Sequence, residues 1–148
     1  MSTEAENMDL VRRLIGESEK KRAVDNADQF FAAGFTLHDN AHPAYKTGYE
    51  RGKDFVSSHY SAFPDLAVQI DDIFASGDKV AFRWSSQGTQ KGVLRGVPPS
   101  NKSANMYGIA IMRFEDGKLA EMWSVQDTYG MLDQLGHLAK VGTVGVQV

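Results

Sequence analysis

Hydrophobic positions along the chain change their period near Pro64. Before it, Met8, Val11, Leu14 and Ile15 recur at helical spacing with charges between them. Ala23, Ala27, Phe30 and Phe31 continue that period, and Gly34 supplies a stop. The spacing predicts helices over 6–18 and 20–33, a short strand at Phe35-Thr36-Leu37, and a loop from Asp39 to Tyr45. A third helix is expected over 48–63, carrying Phe55, Val56, His59 and Tyr60 and ended by Pro64.

After Pro64 the period is two. Val68 and Ile70 alternate with polar residues, a turn signal spans Ala75 to Lys79, and Val80, Phe82 and Trp84 alternate along a long strand. Gly92 to Lys102, with two glycines and Pro98-Pro99, reads as loop. Asn105 to Phe114 is a further strand. Asp116-Gly117 is a hairpin signal, because that pair tolerates the positive φ of a type I′ turn. Leu119 to Asp127 returns as a strand, Thr128 to Leu138 reads as a terminal helix, and 142–148 as a tail or edge strand.

Helices first and hairpins afterwards argue an α+β fold. The expected form is a strongly curved antiparallel sheet with N-terminal helices on its concave face, a cone-shaped barrel with an internal pocket. One domain over 1–140 is expected, with 141–148 as C-terminal tail or edge strand.

Alternation puts Leu119, Glu121, Trp123, Val125 and Asp127 on one face of the returning strand. A two-residue turn at Asp116-Gly117 would set Ala110 opposite Trp123, Gly108 opposite Val125 and Met106 opposite Asp127. Asp127 is then expected in apolar company, partly desolvated, with its pKa above about 3.9, as a general acid or base requires. The other reading is an N-cap for the helix that follows, since Asp is a favoured cap. The residue is open to both roles.

Composition narrows the chemistry. The 148 residues suit one domain, and a net charge of −3 with scattered basic residues speaks against a nucleic-acid partner. The chain has no cysteine, which excludes thiolate nucleophiles, disulfides and zinc–thiolate or iron–sulfur sites. The polar start, Met1 to Asn7, carries no apolar signal core, and no apolar run reaches the roughly 20 residues a membrane helix needs. A cytoplasmic protein with no membrane partner is expected.

Ordered motifs from Phe63 to Leu135 resemble the SnoaL-like polyketide cyclase family of the nuclear-transport-factor-like cone-fold superfamily. They are Phe63-Pro64-Asp65-Leu66, Gly77-Asp78-Lys79-Val80, Gly96-Val97-Pro98-Pro99, Arg113-Phe114-Glu115-Asp116-Gly117-Lys118, Glu121-Met122-Trp123 and Asp127-Thr128-Tyr129-Gly130-Met131-Leu132. The resemblance implies an enzyme with no metal and no cofactor, assembled as a homodimer or homotetramer through the outer sheet face. Its activity would be acid/base catalysis of an intramolecular aldol-type cyclisation or an isomerisation of a small hydrophobic carbonyl-rich substrate, with Asp127 as the acid/base. Two departures are Met122 and Gln90, where family members often carry histidine. Rival readings are a non-catalytic small-molecule-binding or assembly domain of the same fold, and a hydrolase or isomerase of a small hydrophobic ester or epoxide.

The candidate catalytic residues are therefore Asp127 and His38, the latter at a strand end where the family often has a pocket histidine. Candidate substrate-binding residues are Trp84, Trp123, Met106, Phe55, His59 and Tyr60. For the tryptophans and the third-helix residues the competing role is plain core packing. His38 and His42 lack the helical setting of a metal motif, and no metal site is expected. Asp72 and Arg83 are expected to face each other as a cross-strand ion pair.

Overall fold

Thr3 opens the first helix by local chemistry. Its hydroxyl accepts from the Glu6 amide (3.2 Å), while the Glu6 carboxylate accepts from the Thr3 amide (2.7 Å). This reciprocal cap satisfies donors that the first helical turn leaves without partners. The computed structural model describes residues 2–20, 22–39 and 47–138. Its elements run α1 (Glu4–Glu19), α2 (Ala27–Phe30), β1 (Phe31–His38), α3 (Gly48–Ala62), β2 (Ala67–Ser76), β3 (Lys79–Thr89), β4 (Ser103–Glu115), β5 (Lys118–Gln126) and α4 (Thr128–Gln134).

The strands form one curved five-stranded sheet in the order β1-β5-β4-β3-β2. β2 to β5 pair antiparallel, whereas β1 joins β5 in parallel, so the sheet is mixed rather than wholly antiparallel. Helix α1 packs on β2 and β3, α3 on β1, and α4 on β4. The main core lies between helices and sheet, with Val11, Phe31, Phe35, Leu37, Val80 and Leu119 among its buried members. A second cluster of Phe63, Leu94, Met106, Met131 and Leu135 fills the other end.

The expected helix over 20–33 is a four-residue turn of helix, α2, leading into strand. Phe31, Phe35 and Leu37 all enter the core from β1, and Gly34 sits within the strand instead of ending a helix. The helical spacing of Ala23, Ala27 and Phe30 was real but short; burial of the next phenylalanines against β5 and α3 decides for an extended chain. The terminal helix also stops at Gln134. The expected tail, 141–148, lies outside the described residues.

Asp116 and Gly117 form the β4–β5 turn, with φ of 49° and 75°, as a type I′ turn requires. Glu115 pairs with Lys118 and Phe114 with Leu119, and then the ladder slips: Arg113 pairs with Glu121. Ala120 is the extra residue of a bulge, and Leu119 and Ala120 are both buried. Beyond the bulge, Ala110 faces Ser124 and Gly108 faces Gln126. The expected pairing is thus corrected by one residue, and a one-residue slip exchanges the two faces of a strand. A second slip, in β2 between Ile70 and Asp72, leaves Asp72 paired with Arg83 in the ladder but gives the ion pair to Asp71 (3.7 Å).

Candidate active site

The concave face of the sheet and the helices above it enclose a cavity of about 220 Å³. Leu14 and Ile15 of α1, Phe82 and Trp84 of β3, Met106 and Met112 of β4 and Met122 of β5 make its wall mostly apolar. The Trp84 indole packs close over its ladder partner Gly108, where a Cβ would stand 2.3 Å from the ring. Removing that side chain is what lets the indole lie across the sheet.

Polar groups reach the cavity from three directions. Ser86, Ser124 and Gln126 come from the sheet; His59 and Tyr60 come from α3; Asp39 and Arg95 come from loops. The His59 ring is half-buried, edge-on to Phe55 at 4.9 Å, and its Nδ1 lies 2.6 Å from the Phe55 carbonyl oxygen. A carbonyl only accepts, so Nδ1 carries hydrogen and the neutral ring keeps its basic lone pair on Nε2. Burial, helped by the negative charge of Glu19, pushes the Tyr60 phenol further above its ordinary 10.0, so Tyr60 is a hydrogen-bond donor at any physiological pH.

One wall is the loop from Gln90 to Lys102, shaped by a single buried amide. The Gln90 side chain is wholly buried; its Nε2 donates to the carbonyls of Gly92, Val97 and Pro98 at 3.2–3.3 Å. Its Oε1 accepts from Ser100 N (3.2 Å) and from His137 Nε2 (2.6 Å). The loop so held presents Val93, Leu94 and Arg95 to the cavity.

Of the residues singled out from the sequence, Phe55, His59, Tyr60, Trp84 and Met106 line this cavity together. Three others do not. The Ala120 bulge turns Trp123 to the outer face, where its ring stacks on His38 at 5.3 Å and 15°. His38 is likewise outside, 2.7 Å from Glu121, which also accepts from Arg113 (3.1 Å). These two donors hold the Glu121 carboxyl below its ordinary 4.5, His38 contributing most. Asp127 is exposed, and its Oδ1 accepts from Gly130 N (2.9 Å) as the N-cap of α4. The expected desolvated setting of Asp127 is therefore not found; its chain neighbour Gln126 is what reaches the cavity. The sequence reading missed Arg95, Gln126, Ser86 and Ser124. A loop arginine carries no periodic signal; Ser86 shares the inward face that Trp84 predicts but not its apolar character, and Ser124 and Gln126 turn inward only once the bulge in β5 is known.

Among the described residues no group of three or more His, Asp or Glu side chains is arranged to hold a metal ion, and no helix is long and apolar enough to cross a membrane. A curved sheet roofed by helices around an apolar hollow with a few convergent polar groups defines a small-ligand cavity protein of the cone-shaped α+β class. The pattern of the SnoaL-like polyketide cyclases matches residues 9–135, and the chain belongs to that family. TsrD from Streptomyces laurentii has the same fold, with a TM-score of 0.83 at 25% identity over 93% of this chain and 100% of that one. A candidate polyketide cyclase from Acidithiobacillus ferrooxidans is similar at 27% identity, TM-score 0.78, over 94% of this chain and 100% of its own. IdmH from Streptomyces antibioticus, also described as a candidate polyketide cyclase, gives 26% identity and 0.71 over 88% and 98%. No curated protein matches the chain.

Proposed function

We propose that the chain catalyses a cofactor-free, acid/base ring closure or isomerisation of a small, hydrophobic, carbonyl-rich molecule held in the cavity. The observation that carries this reading is the company of His59 and Tyr60 inside a mostly apolar hollow. His59 Nε2 removes a proton from a carbon flanked by carbonyls, and Tyr60 donates to a carbonyl oxygen. The enolate carbon then forms a bond to a second carbonyl carbon of the same molecule, and the proton returns to the new alkoxide. The folded apolar wall holds the two carbons together, which supplies several kcal/mol of the barrier, on the order of 7 or more where alignment is good.

The proton-transfer role is given to His59 and not to Asp127, since the imidazole is in the cavity and the carboxylate caps a helix. Turnover of polyketide-like β-dicarbonyl compounds by two variants decides between them. His59→Gln is expected to lose about 10²–10⁴-fold in kcat. Asp127→Asn keeps the cap, because Asn serves there as well as Asp, and is expected to turn over like the wild type. The reverse pattern would return the role to Asp127. The capping role of Asp127 favours a second reading, a binding domain without turnover; tight binding of such compounds with no conversion would establish it.

The same reading includes a homodimer. The outer sheet face exposes Phe74 (62%), Tyr107 (54%), Ile109 (58%) and Val125 (75%), an apolar surface that a second copy of the chain would cover.

A further inference from the structure

The hairpin tip that brings Arg95 to the cavity is built against local preference. Leu94 and Val97 pair as a bridge, each amide donating to the other's carbonyl at 2.9 and 2.8 Å. Arg95 and Gly96 between them have φ of 48° and 79°. Both values are positive, as a type I′ turn demands, and its first central place favours Asn, Asp or Gly. An arginine there sits in the left-handed region with no short polar group to ease it.

Strain of this kind persists where the surroundings over-determine it, and it concentrates at functional sites. The surroundings here are fixed. Gln90 grips the loop from beneath, and the amides of Lys91 and Gly92 both donate to the Ala62 carbonyl (2.9 and 3.2 Å). The loop is thereby seated on the end of α3, the helix that carries His59 and Tyr60. Arg95 both lines the cavity and is exposed, so its side chain stands at the mouth. Partial burial lowers the pKa of its guanidinium and the charge of Asp39, another lining residue, raises it.

We infer that Arg95 is a catalytic and specificity-determining residue that donates to the substrate's carbonyl oxygen and stabilises the negative charge it acquires on enolisation. This rests on the reading of the cavity as a site of proton abstraction. As the proton leaves carbon for His59 Nε2, the C–H electron pair becomes C=C and the carbonyl π pair moves onto oxygen, where the guanidinium N–H groups meet it. Asp39 offsets the resting charge of Arg95. With that carboxylate lining the same cavity, the site suits an oxygen that arrives neutral and becomes charged better than one that arrives as a carboxylate.

The test uses the full-length chain and 2-naphthol, a flat phenol whose naphtholate mimics an enolate and absorbs at longer wavelength. Naphthol bound to the wild type is expected to ionise about tenfold more readily, one pH unit lower, than naphthol bound to Arg95→Gln. Arg95→Lys should retain part of the shift. Arg95→Asn relieves the turn, so it should melt at or above the wild-type temperature while losing the shift, which separates loss of the charge from loss of the fold. The inference is overturned if bound naphthol ionises alike in wild type and Arg95→Gln, if Arg95→Asn keeps the shift, or if the wild type binds no naphthol. A shift without turnover of dicarbonyls upholds Arg95 as the anion-stabilising group while removing the ring-closure reading. Turnover undiminished in Arg95→Gln does the opposite.

Discussion

Gly108 shows how much a missing side chain can decide. Its ladder partner Trp84 lies where a Cβ would be, 2.3 Å from the indole. Gly108→Ala would drive the ring off the sheet and into the cavity, an overpacked arrangement costing about 1–3 kcal/mol. Urea unfolding should show that loss, and titration with 2-naphthol should show weaker binding; unchanged affinity would mean the ring has room elsewhere. At this scale the sequence was readable where one residue type answers one demand. Trp84 faces inward as the alternation of Val80, Phe82 and Trp84 predicts, and Asp116-Gly117 makes the turn it signals. Arg95 was not readable, because no propensity marks an arginine in a left-handed turn; only the observed φ does.

Elements are set by what anchors their ends. The loop from Gln90 to Lys102 has backbone pairing only at its ends and at the Leu94–Val97 tip, and the side-chain amide of Gln90 ties the span between them, bonding three carbonyls and one amide from a fully buried position. Gln90→Leu matches it roughly in size but removes those part-buried hydrogen bonds, leaving Val97 only its partner Leu94. Each hydrogen bond lost there costs about 0.5–1.5 kcal/mol, so a loss of about 2–3 kcal/mol is expected in chemical denaturation. A loss under about 1 kcal/mol would show that the loop finds other partners. Strand β5 failed to read correctly for a related reason. A hairpin turn fixes register only as far as the first irregularity, and Ala120 intervenes three residues past Gly117. Leu119 and Ala120, adjacent and both apolar, are the only trace of the bulge in the sequence. Carrying strict alternation past them placed Trp123 and Asp127 on the wrong side. β1 went astray through a different ambiguity: Phe30 and Phe31 fit a helical stripe and a strand entry equally, and only pairing with β5 separates the two.

For the whole molecule, the two faces of the sheet have separate business. The concave side holds the hollow; the convex side exposes isoleucine, valine and aromatic side chains beside the His38–Glu121–Arg113 group. If a second copy covers that surface, Ile109→Glu places a charge at its centre without touching the core. The wild type should elute as a dimer by light scattering, the variant as a monomer with an unchanged far-ultraviolet circular dichroism spectrum. A monomeric wild type would leave the surface without its proposed partner. The architecture was legible as helices followed by antiparallel hairpins because that order is a property of long stretches, and long stretches average over a slip or a bulge. Which side of the sheet a given residue occupies depends on single positions, and so it was not.

The slip at Ala120 also parts the chain's two indoles. Trp84 is walled into the hollow, and Trp123 rests against an imidazole on the opposite surface. Each compartment thus carries its own intrinsic fluorophore. Replacing either one by phenylalanine leaves a lamp that answers to a single event, guest entry for Trp84 or association for Trp123, without any dye attached.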